Sequence, residues 1–446
     1  MNTFGLNQDW KNLQSEMITH LRNLIRIDTS NPPGNETPAA EYIARTFAAE
    51  NIGSTILEST PGRGNIIARI KGDGSRRPLL LMSHLDVVGV EAEKWKYAPF
   101  SAEIAEGSVW GRGALDCKNT VALWMMVMLV LKRSKLKLKR DVIFMAAADE
   151  ETGGSHGAEW LTNNHFDLIE AEAALNEGGG FGLNFLGKTF YTFQSAEKGN
   201  VWVRLSAIGT PGHASIPRMD NPTLRVARIV SKLARRRFPL TPTKTVREMI
   251  DIMAATQKFP INAVIRQLTN PVLSEMIISL GIRDQSVAGG FRAMLKNTLT
   301  PTVLAAGHKV NVIPSEASAE LDIRILPGFD AEQTFNKIRK AAGKTCIVEP
   351  IDIKPATESP TDHVLADSIR KVIRDHDPAS HVVPILIPGV TDGVFLRSKG
   401  VVVYGFTPLL PQEDISLTHG HNERISLESL DFSLKIGLNV VFDFVL

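Results

Sequence analysis

The chain has 446 residues, of which 43% are hydrophobic, and its formal net charge is +2. This length is sufficient for two domains with large cores, and the balanced charge gives no electrostatic footprint for nucleic acid or an anionic membrane. The only two cysteines, Cys117 and Cys346, are too few for a disulfide framework, which favours a reducing compartment.

The N-terminal segment, residues 1–34, has no basic start followed by an apolar core, so it is not typical of a signal peptide. It predicts an amphipathic helix over 9–27 that ends near a Pro/Gly turn. The longest apolar run, residues 120–131, is too short to span a bilayer and is typical of a buried helix. We therefore expect a cytoplasmic protein.

Strands and helices alternate over the first 200 residues. The predicted strands are 65–70, 78–86, 141–149 and 171–178. The predicted helices are 38–50, 118–132 and 155–164. Alternation of this kind predicts an α/β domain with a mostly parallel sheet and helices on both faces.

The pattern changes near residue 198 to strand, helix, strand, strand, helix, strand, which is the ferredoxin-like order. Residues 239–298 do not fit this order and predict a mostly helical insertion. After residue 355 the α/β alternation resumes. We therefore expect an α/β domain made of 1–197 and 355–446, interrupted by a smaller α+β domain of 198–354.

Acidic and imidazole side chains lie where strands of the first domain are predicted to end. They are His84, Asp86, Asp116, Glu150, Glu151 and Glu177. Open α/β sheets bind ligands beyond the carboxyl ends of their strands, so these groups should meet in one crevice. Carboxylates gathered there would repel one another unless a cation lay among them. Imidazole and carboxylate ligands favour zinc, or cobalt or manganese in its place. The set exceeds what one catalytic zinc needs, and two metals would use it fully.

Several motifs make the chain resemble the M20 metallopeptidase family, which includes aminoacylase-1, carboxypeptidase S, succinyl-diaminopimelate desuccinylase and acetylornithine deacetylase. The matching stretches are "SHLDVV", "WGRGALDCKN", "AADEETGG", "NEGGG", "GTPGHAS", "NVIPSEASAELDIRILPG" and "THGHNERIS". The resemblance extends from about residue 80 to residue 426. It implies a zinc-hydrolase catalytic domain with an inserted lid domain.

The resemblance also implies metal ligands for two Zn²⁺ ions. Asp116 would bridge the two ions, with His84 and Glu177 completing one site. Glu151 and His419 would complete the other. His419 is preferred because the family motif is His-x-x-Asn/Asp-Glu, with His421 as the alternative. Asp86 lies two residues after His84, so on an extended strand it can hold the ring nitrogen that the metal does not use.

Catalytic and substrate-binding roles follow from the same resemblance. Glu150 would be the general base, and His213 would donate a hydrogen bond to the oxyanion, usually in the other subunit. The substrate-binding candidates are Asn311, Arg324 and Thr391. The family usually forms a homodimer through the lid, but the insertion could block or rebuild that contact. Cys117 departs from the Asp or Met that relatives often carry there, and a role for it as a metal ligand stays open.

The function that the resemblance implies is hydrolysis of an amide bond next to a free carboxylate. N-acyl amino acids and short peptides are the expected substrates, with no nucleic acid or membrane as a partner. An aminopeptidase with the same metal chemistry is one alternative, and a catalytically inactive binding protein on this fold is another.

Overall fold

The computed structural model describes residues 9–446, so residues 1–8 of the N-terminal segment interpreted above lie outside the described part. The described chain divides into two compact units. The first contains the described residues up to Ser195, together with Ser359–Ile385 and Thr391–Leu446. The second contains Ala196–Glu358 and Leu386–Val390.

Helices and strands are numbered along the chain. The N-terminal part contains α1 (Trp10–Ile25), α2 (Thr37–Ala49), β1 (Ser54–Glu58), β2 (Gly64–Ile70), β3 (Leu79–His84), β4 (Glu103–Ala105), β5 (Ser108–Trp110), α3 (Lys118–Ser134), β6 (Val142–Ala147), α4 (Ala158–Asn164), α5 (Phe166–Ile169), β7 (Ala173–Asn176), β8 (Gly182–Phe185) and β9 (Lys188–Glu197). The middle part contains β10 (Gly199–Ile208), β11 (Gly212–His213), α6 (Pro222–Ala234), α7 (Lys244–Ala255), α8 (Ile261–Arg266), α9 (Ser274–Gly281), α10 (Gln285–Leu295), β12 (Thr298–Ala306), β13 (Val312–Ile313), β14 (Glu316–Ile325), α11 (Ala331–Ala342), β15 (Ile347–Ile353) and β16 (Thr357–Glu358). The C-terminal part contains α12 (Val364–His376), β17 (His381–Ile387), α13 (Gly393–Ser398), β18 (Val402–Gly405), β19 (Arg424–Ser426) and α14 (Leu427–Val445).

The first unit is built on a sheet with the order β1-β2-β6-β3-β7-β18-β9. Its centre is parallel, because β6, β3, β7 and β18 pair in the same direction. The flanking strands β1, β2 and β9 join antiparallel. The predicted α/β class with a parallel central sheet is therefore confirmed, with antiparallel strands added at both edges.

Helices cover both faces of this sheet. On β3, Leu79 and Leu81 belong to one core, which also contains buried side chains of α1, α3 and α14. Leu80 and Met82 belong to a second core that includes residues of α4 and α13. Because side chains alternate across a strand, the uninterrupted apolar run of β3 supplies both cores.

The second unit contains a four-stranded antiparallel sheet with the order β12-β14-β10-β15. The chain order is β10, α6, β12, β14, α11, β15, which is the ferredoxin-like arrangement. Val201, Val203 and Leu205 alternate with more exposed residues and form the core with α6 and α11. Helices α7 to α10 are inserted between α6 and β12.

Candidate metal centre

His84 is the last residue of β3 and is 1% exposed. Its Nε2 lies 3.0 Å from Asp116 Oδ1 and 3.4 Å from Glu177 Oε2. Its Nδ1 lies 3.0 Å from the carbonyl oxygen of Asp86 and 3.5 Å from the Asp86 carboxylate. The ring is therefore oriented with Nε2 toward the acids, and the nearer oxygen that holds Nδ1 is the Asp86 carbonyl rather than the carboxylate expected from the sequence.

The Asp86 carboxylate instead fixes the loop after β6. Its two oxygens accept hydrogen bonds from the backbone N–H groups of Glu150 and Glu151, both at 3.1 Å. Asn31 Nδ2 donates to the same carboxylate at 2.8 Å and to Asp149 at 3.1 Å. Asp86 therefore positions two neighbouring acids at once, through the backbone that carries them.

A second buried carboxylate fixes the loop that carries Asp116. Glu423 is 0% exposed and accepts hydrogen bonds from the backbone N–H groups of Gly113, Leu115 and Asp116, at 3.2, 2.7 and 3.1 Å. Arg112 donates to it at 2.6 Å. Because three backbone donors and a guanidinium converge on Glu423, the loop has little freedom to move.

Asp116 presents its two oxygens to two different groups. Oδ1 faces His84, whereas Oδ2 lies 3.1 Å from His419 Nε2. His419 Nε2 is also 3.0 Å from Glu151 Oε2. His421, on the loop that carries His419, instead has its Nε2 3.9 Å from Glu91. One carboxylate thus connects two clusters of donor atoms.

Those clusters satisfy the spacing expected of metal ligands. In each, one donor atom per residue lies within 4.8 Å of all the others, and the clusters are His84, Asp116, Cys117 and Glu177, and Asp116, Glu151 and His419. Two donors that each lie about 2.1 Å from a zinc ion at a tetrahedral angle are about 3.4 Å apart. The imidazole–carboxylate distances of 3.0 to 3.4 Å therefore fit shared coordination.

Cys117 is part of the first cluster but has another structural role. The Asp116–Cys117 peptide bond is cis. The backbone N–H of His84 donates to Sγ at 3.3 Å, and the thiol donates to the His84 carbonyl at 3.6 Å. Burial raises the pKa of the Cys117 thiol well above its ordinary value, so the sulfur stays protonated and ties the end of β3 to the Asp116 loop.

The electrostatics of the site favour a bound cation. Burial raises the pKa of Glu177 to about 7, and it raises the pKa of Glu151 above its ordinary value. Hydrogen bonds to Asp116 and Glu151 raise the pKa of His419 to about 10. The buried Oε1 of Glu151 accepts no hydrogen bond from any residue in the described range 9–446. An unpartnered oxygen among crowded acids fits a metal-binding role.

Glu150 lies beside these clusters without belonging to either. Burial raises the pKa of its carboxyl well above the ordinary value, and the negative charges of Glu177 and Asp392 raise it further. Asp392 is 4% exposed and was not identified in the sequence. The sequence predicts a substrate-binding role for its neighbour Thr391 instead.

Thr391 lies next to the end of β7. Asn176, the residue before Glu177, donates from Nδ2 to Thr391 Oγ1 at 3.1 Å. The backbone N–H of Gly393 donates to the same oxygen at 3.2 Å. Thr391 is 8% exposed, so these contacts place it among the groups that build the end of β7.

The other predicted substrate residues lie in the second unit. His213, on β11, is exposed, and its Nδ1 is 2.7 Å from Ser215 Oγ. The carbonyl of Asn311 accepts a hydrogen bond from the backbone of Ala214 at 3.0 Å, which joins the two loops. Arg324, on β14, donates to both oxygens of Asp322 at 2.7 and 3.1 Å. Its guanidinium is therefore already paired within its own strand.

A buried network behind the Glu150 loop was also missed in the sequence. Arg63 donates to both Glu36 and Asp149 at 2.8 Å, and its side chain is largely buried. Asp149 also accepts a hydrogen bond from the backbone of His156 at 2.9 Å. An arginine in a loop and an aspartate at a strand end are too common to be identified from one sequence.

Comparison with known families agrees with this geometry. The family model described as "Peptidase family M20/M25/M40" matches residues 80–443. A mouse protein named "N-fatty-acyl-amino acid synthase/hydrolase PM20D1" is 28% identical over 456 residues, covering 95% of this chain and 86% of that protein. Human aminoacylase-1 is 27% identical over 420 residues, covering 92% of this chain and 90% of its own length.

A solved structure has the same fold. The M20 family metallo-carboxypeptidase Sso-CP2 from Sulfolobus solfataricus superposes with a TM-score of 0.75 at 19% identity, covering 96% of this chain and 98% of that one. Among residues 9–446, no helix has both the length and the apolar character needed to cross a bilayer.

Proposed function

Because the chain belongs to peptidase family M20/M25/M40, as its motifs predict, we propose that it is a two-metal hydrolase of amide bonds next to a free carboxylate. The chain is a hydrolase of a metal-dependent family whose members act on small peptides or acyl amino acids. The number of metal ions and the kind of amide bond that is cleaved are our proposal. The observation that carries it is the position of Asp116, whose two oxygens face two different donor clusters.

His84, Asp116 and Glu177 would hold one ion, and Asp116, Glu151 and His419 the other. Zinc is the metal we propose, and cobalt or manganese would suit the same imidazole and carboxylate donors. When bound, such ions supply Lewis acidity toward the amide carbonyl and lower the pKa of water. Asp86 and Glu423 keep the donors in place by holding the backbone of their loops.

Glu150 is the proposed general base. It would accept the proton of the attacking water at its carboxylate and pass that proton to the leaving nitrogen. Its raised pKa suits this task, because a carboxylate of ordinary pKa is a weaker base and holds a proton less readily. In the second unit, His213 is the proposed oxyanion donor, and Asn311 and Arg324 are proposed substrate-binding residues. Thr391, in the first unit, is the third proposed substrate-binding residue. A homodimer through the second unit, with His213 acting on the partner copy, is part of the same proposal.

N-acyl amino acids are the substrates we favour, since two groups of relatives have names that refer to acyl amino acids. Dipeptides with a free carboxylate are the next choice. We also propose a cytoplasmic location, which the two free, buried cysteines support.

A substrate panel tests this proposal. The zinc-loaded protein should hydrolyse N-acyl amino acids, and it should act far more slowly on the same compounds with the carboxylate converted to an amide. Glu150→Gln is the matched control for contaminating activity. Cleavage of amino-acid amides in place of N-acyl amino acids would indicate an aminopeptidase. Full metal content with no hydrolysis of any compound would indicate a binding protein.

A further inference from the structure

Six large apolar side chains within residues 259–280 of the helical insertion are exposed. Phe259, Val272 and Leu280 are 83%, 81% and 80% exposed. Single exposed apolar residues are common on protein surfaces, but a concentrated group marks a surface that binds something. We use the name insertion patch for Phe259, Ile261, Val264, Val272, Met276 and Leu280.

The spacing within the patch gives α9 two apolar sides. Val272, Met276 and Leu280 recur every four residues and share one side of the helix and its N-terminal extension. Ile278, in contrast, is 1% exposed and packs inward. A helix that packs only on its own domain needs one apolar side, so the exposed apolar side of α9 offers a surface to a partner.

Basic side chains accompany the patch. Lys258, Arg266 and Arg283 are all exposed. The one acidic residue between 258 and 283, Glu275, pairs with Arg292 at 2.8 Å. Residues 235–296 contain ten basic and four acidic residues, a net charge of +6 in a chain whose total is +2. The balanced total, from which we expected no membrane partner, therefore hides a strongly basic segment.

We propose that the insertion patch docks on an anionic lipid surface. Apolar side chains would enter the boundary between head groups and acyl chains, while Lys258, Arg266 and Arg283 would meet lipid phosphates. A second copy of this chain fits less well as the occupant. In a two-fold contact the patch would face itself, and the same cations would be brought together. This inference does not depend on the catalytic proposal.

Vesicle flotation tests the docking. Vesicles of equal amounts of phosphatidylglycerol and phosphatidylcholine are compared with vesicles of phosphatidylcholine alone. The full chain should float with the anionic vesicles, more weakly with the neutral ones, and less as salt is raised. The combined variant Val272→Ser, Met276→Gln and Leu280→Gln should lower the partition coefficient at least about tenfold. Lys258→Gln with Arg266→Gln and Arg283→Gln should lower it on anionic vesicles only.

The matched control substitutes exposed apolar residues of the sheet in the same unit: Val303→Thr, Ile347→Gln and Ile351→Gln. It should float like the unmodified chain. Hydrolysis of a water-soluble substrate and thermal unfolding should be unchanged in the patch variants, which separates lost docking from misfolding. No flotation of the unmodified chain, or equal loss in the control, would overturn the proposal. A dimer in solution that the patch variant converts to a monomer, without vesicle binding, would assign the patch to a second copy.

Discussion

The two units carry their proposed functional side chains in different ways. In the first, the acids at the ends of parallel strands are held through the backbone, by Asp86 on one loop and Glu423 on another. In the second, His213 is exposed and its ring contacts Ser215, and Arg324 is paired with Asp322. The difference indicates a preorganised candidate metal centre in the first unit, whereas the proposed substrate contacts of the second unit can exchange partners.

The largest expected effect comes from Glu150→Gln in the preorganised region. The variant should lose about 10³–10⁴-fold in kcat, because it cannot accept the proton of the attacking water. Metal content, measured by inductively coupled plasma mass spectrometry, should be unchanged, since Glu150 belongs to neither donor cluster. Glu151→Gln is the control that should lose metal. Unimpaired turnover in Glu150→Gln would remove that residue from its role.

His213→Ala tests the proposed role of the second unit in catalysis. Loss of an oxyanion donor should lower kcat about 10²–10³-fold, while metal content stays the same. Ser215→Ala, which removes the hydroxyl near Nδ1, should have a much smaller effect. A parallel fall in kcat and metal content would identify His213 as a structural residue. Recovery of activity on mixing His213→Ala with Glu150→Gln would show that His213 acts on a partner copy.

Preorganisation itself is tested by Glu423→Gln. The amide nitrogen would face the backbone N–H groups of the Asp116 loop, so the loop should lose its fixed position. We expect metal affinity to fall about 10–100-fold by equilibrium dialysis. His421→Ala is the control. His421 lies on the same loop as Glu423 but faces Glu91, so this variant should bind metal normally. Unchanged affinity in Glu423→Gln would mean that the loop is rigid without this carboxylate.

The smallest effect concerns the scaffold of the first unit. Arg133 donates to both oxygens of Glu16 at 2.7 Å and lowers the pKa of that carboxyl to about 2. A lowered pKa contributes stability above pH 4.5 that is lost as the pH falls toward about 2. Arg133→Met should therefore lower the free energy of unfolding by about 1–2 kcal/mol at neutral pH. Denaturant curves of the two proteins should converge near pH 2, and a constant difference would contradict this account.

Much of the first unit could be predicted from the sequence because its signals are local. The apolar runs of β3 and β6 identify buried parallel strands, and helices α1, α2 and α3 were all expected within two residues of their bounds. Strand β9 was missed because it carries several buried polar residues, including Thr192, Gln194 and Glu197. Tertiary hydrogen bonding satisfies those groups, and no sequence pattern reveals it.

The candidate site divides in the same way. The donor residues could be found because they lie at strand ends and in family motifs. Glu423 lies in the His-x-x-Asn/Asp-Glu motif, but its contact with the Asp116 loop was not predicted, and Asp392 and Arg63 were not identified at all. Each acts through a partner that is distant in sequence, such as Asp116 for Glu423. Even for Asp86 the residue was identified but its main contact was not, since its carboxylate reaches a loop 64 residues away.

The central claim, that Asp116 joins two metal sites, is tested most directly by counting bound zinc. Equilibrium dialysis of the purified chain should give two ions per chain, and Asp116→Ala should bind neither with comparable affinity because both clusters lose a shared donor. One ion in the unmodified chain, or two ions still bound tightly by Asp116→Ala, would contradict it.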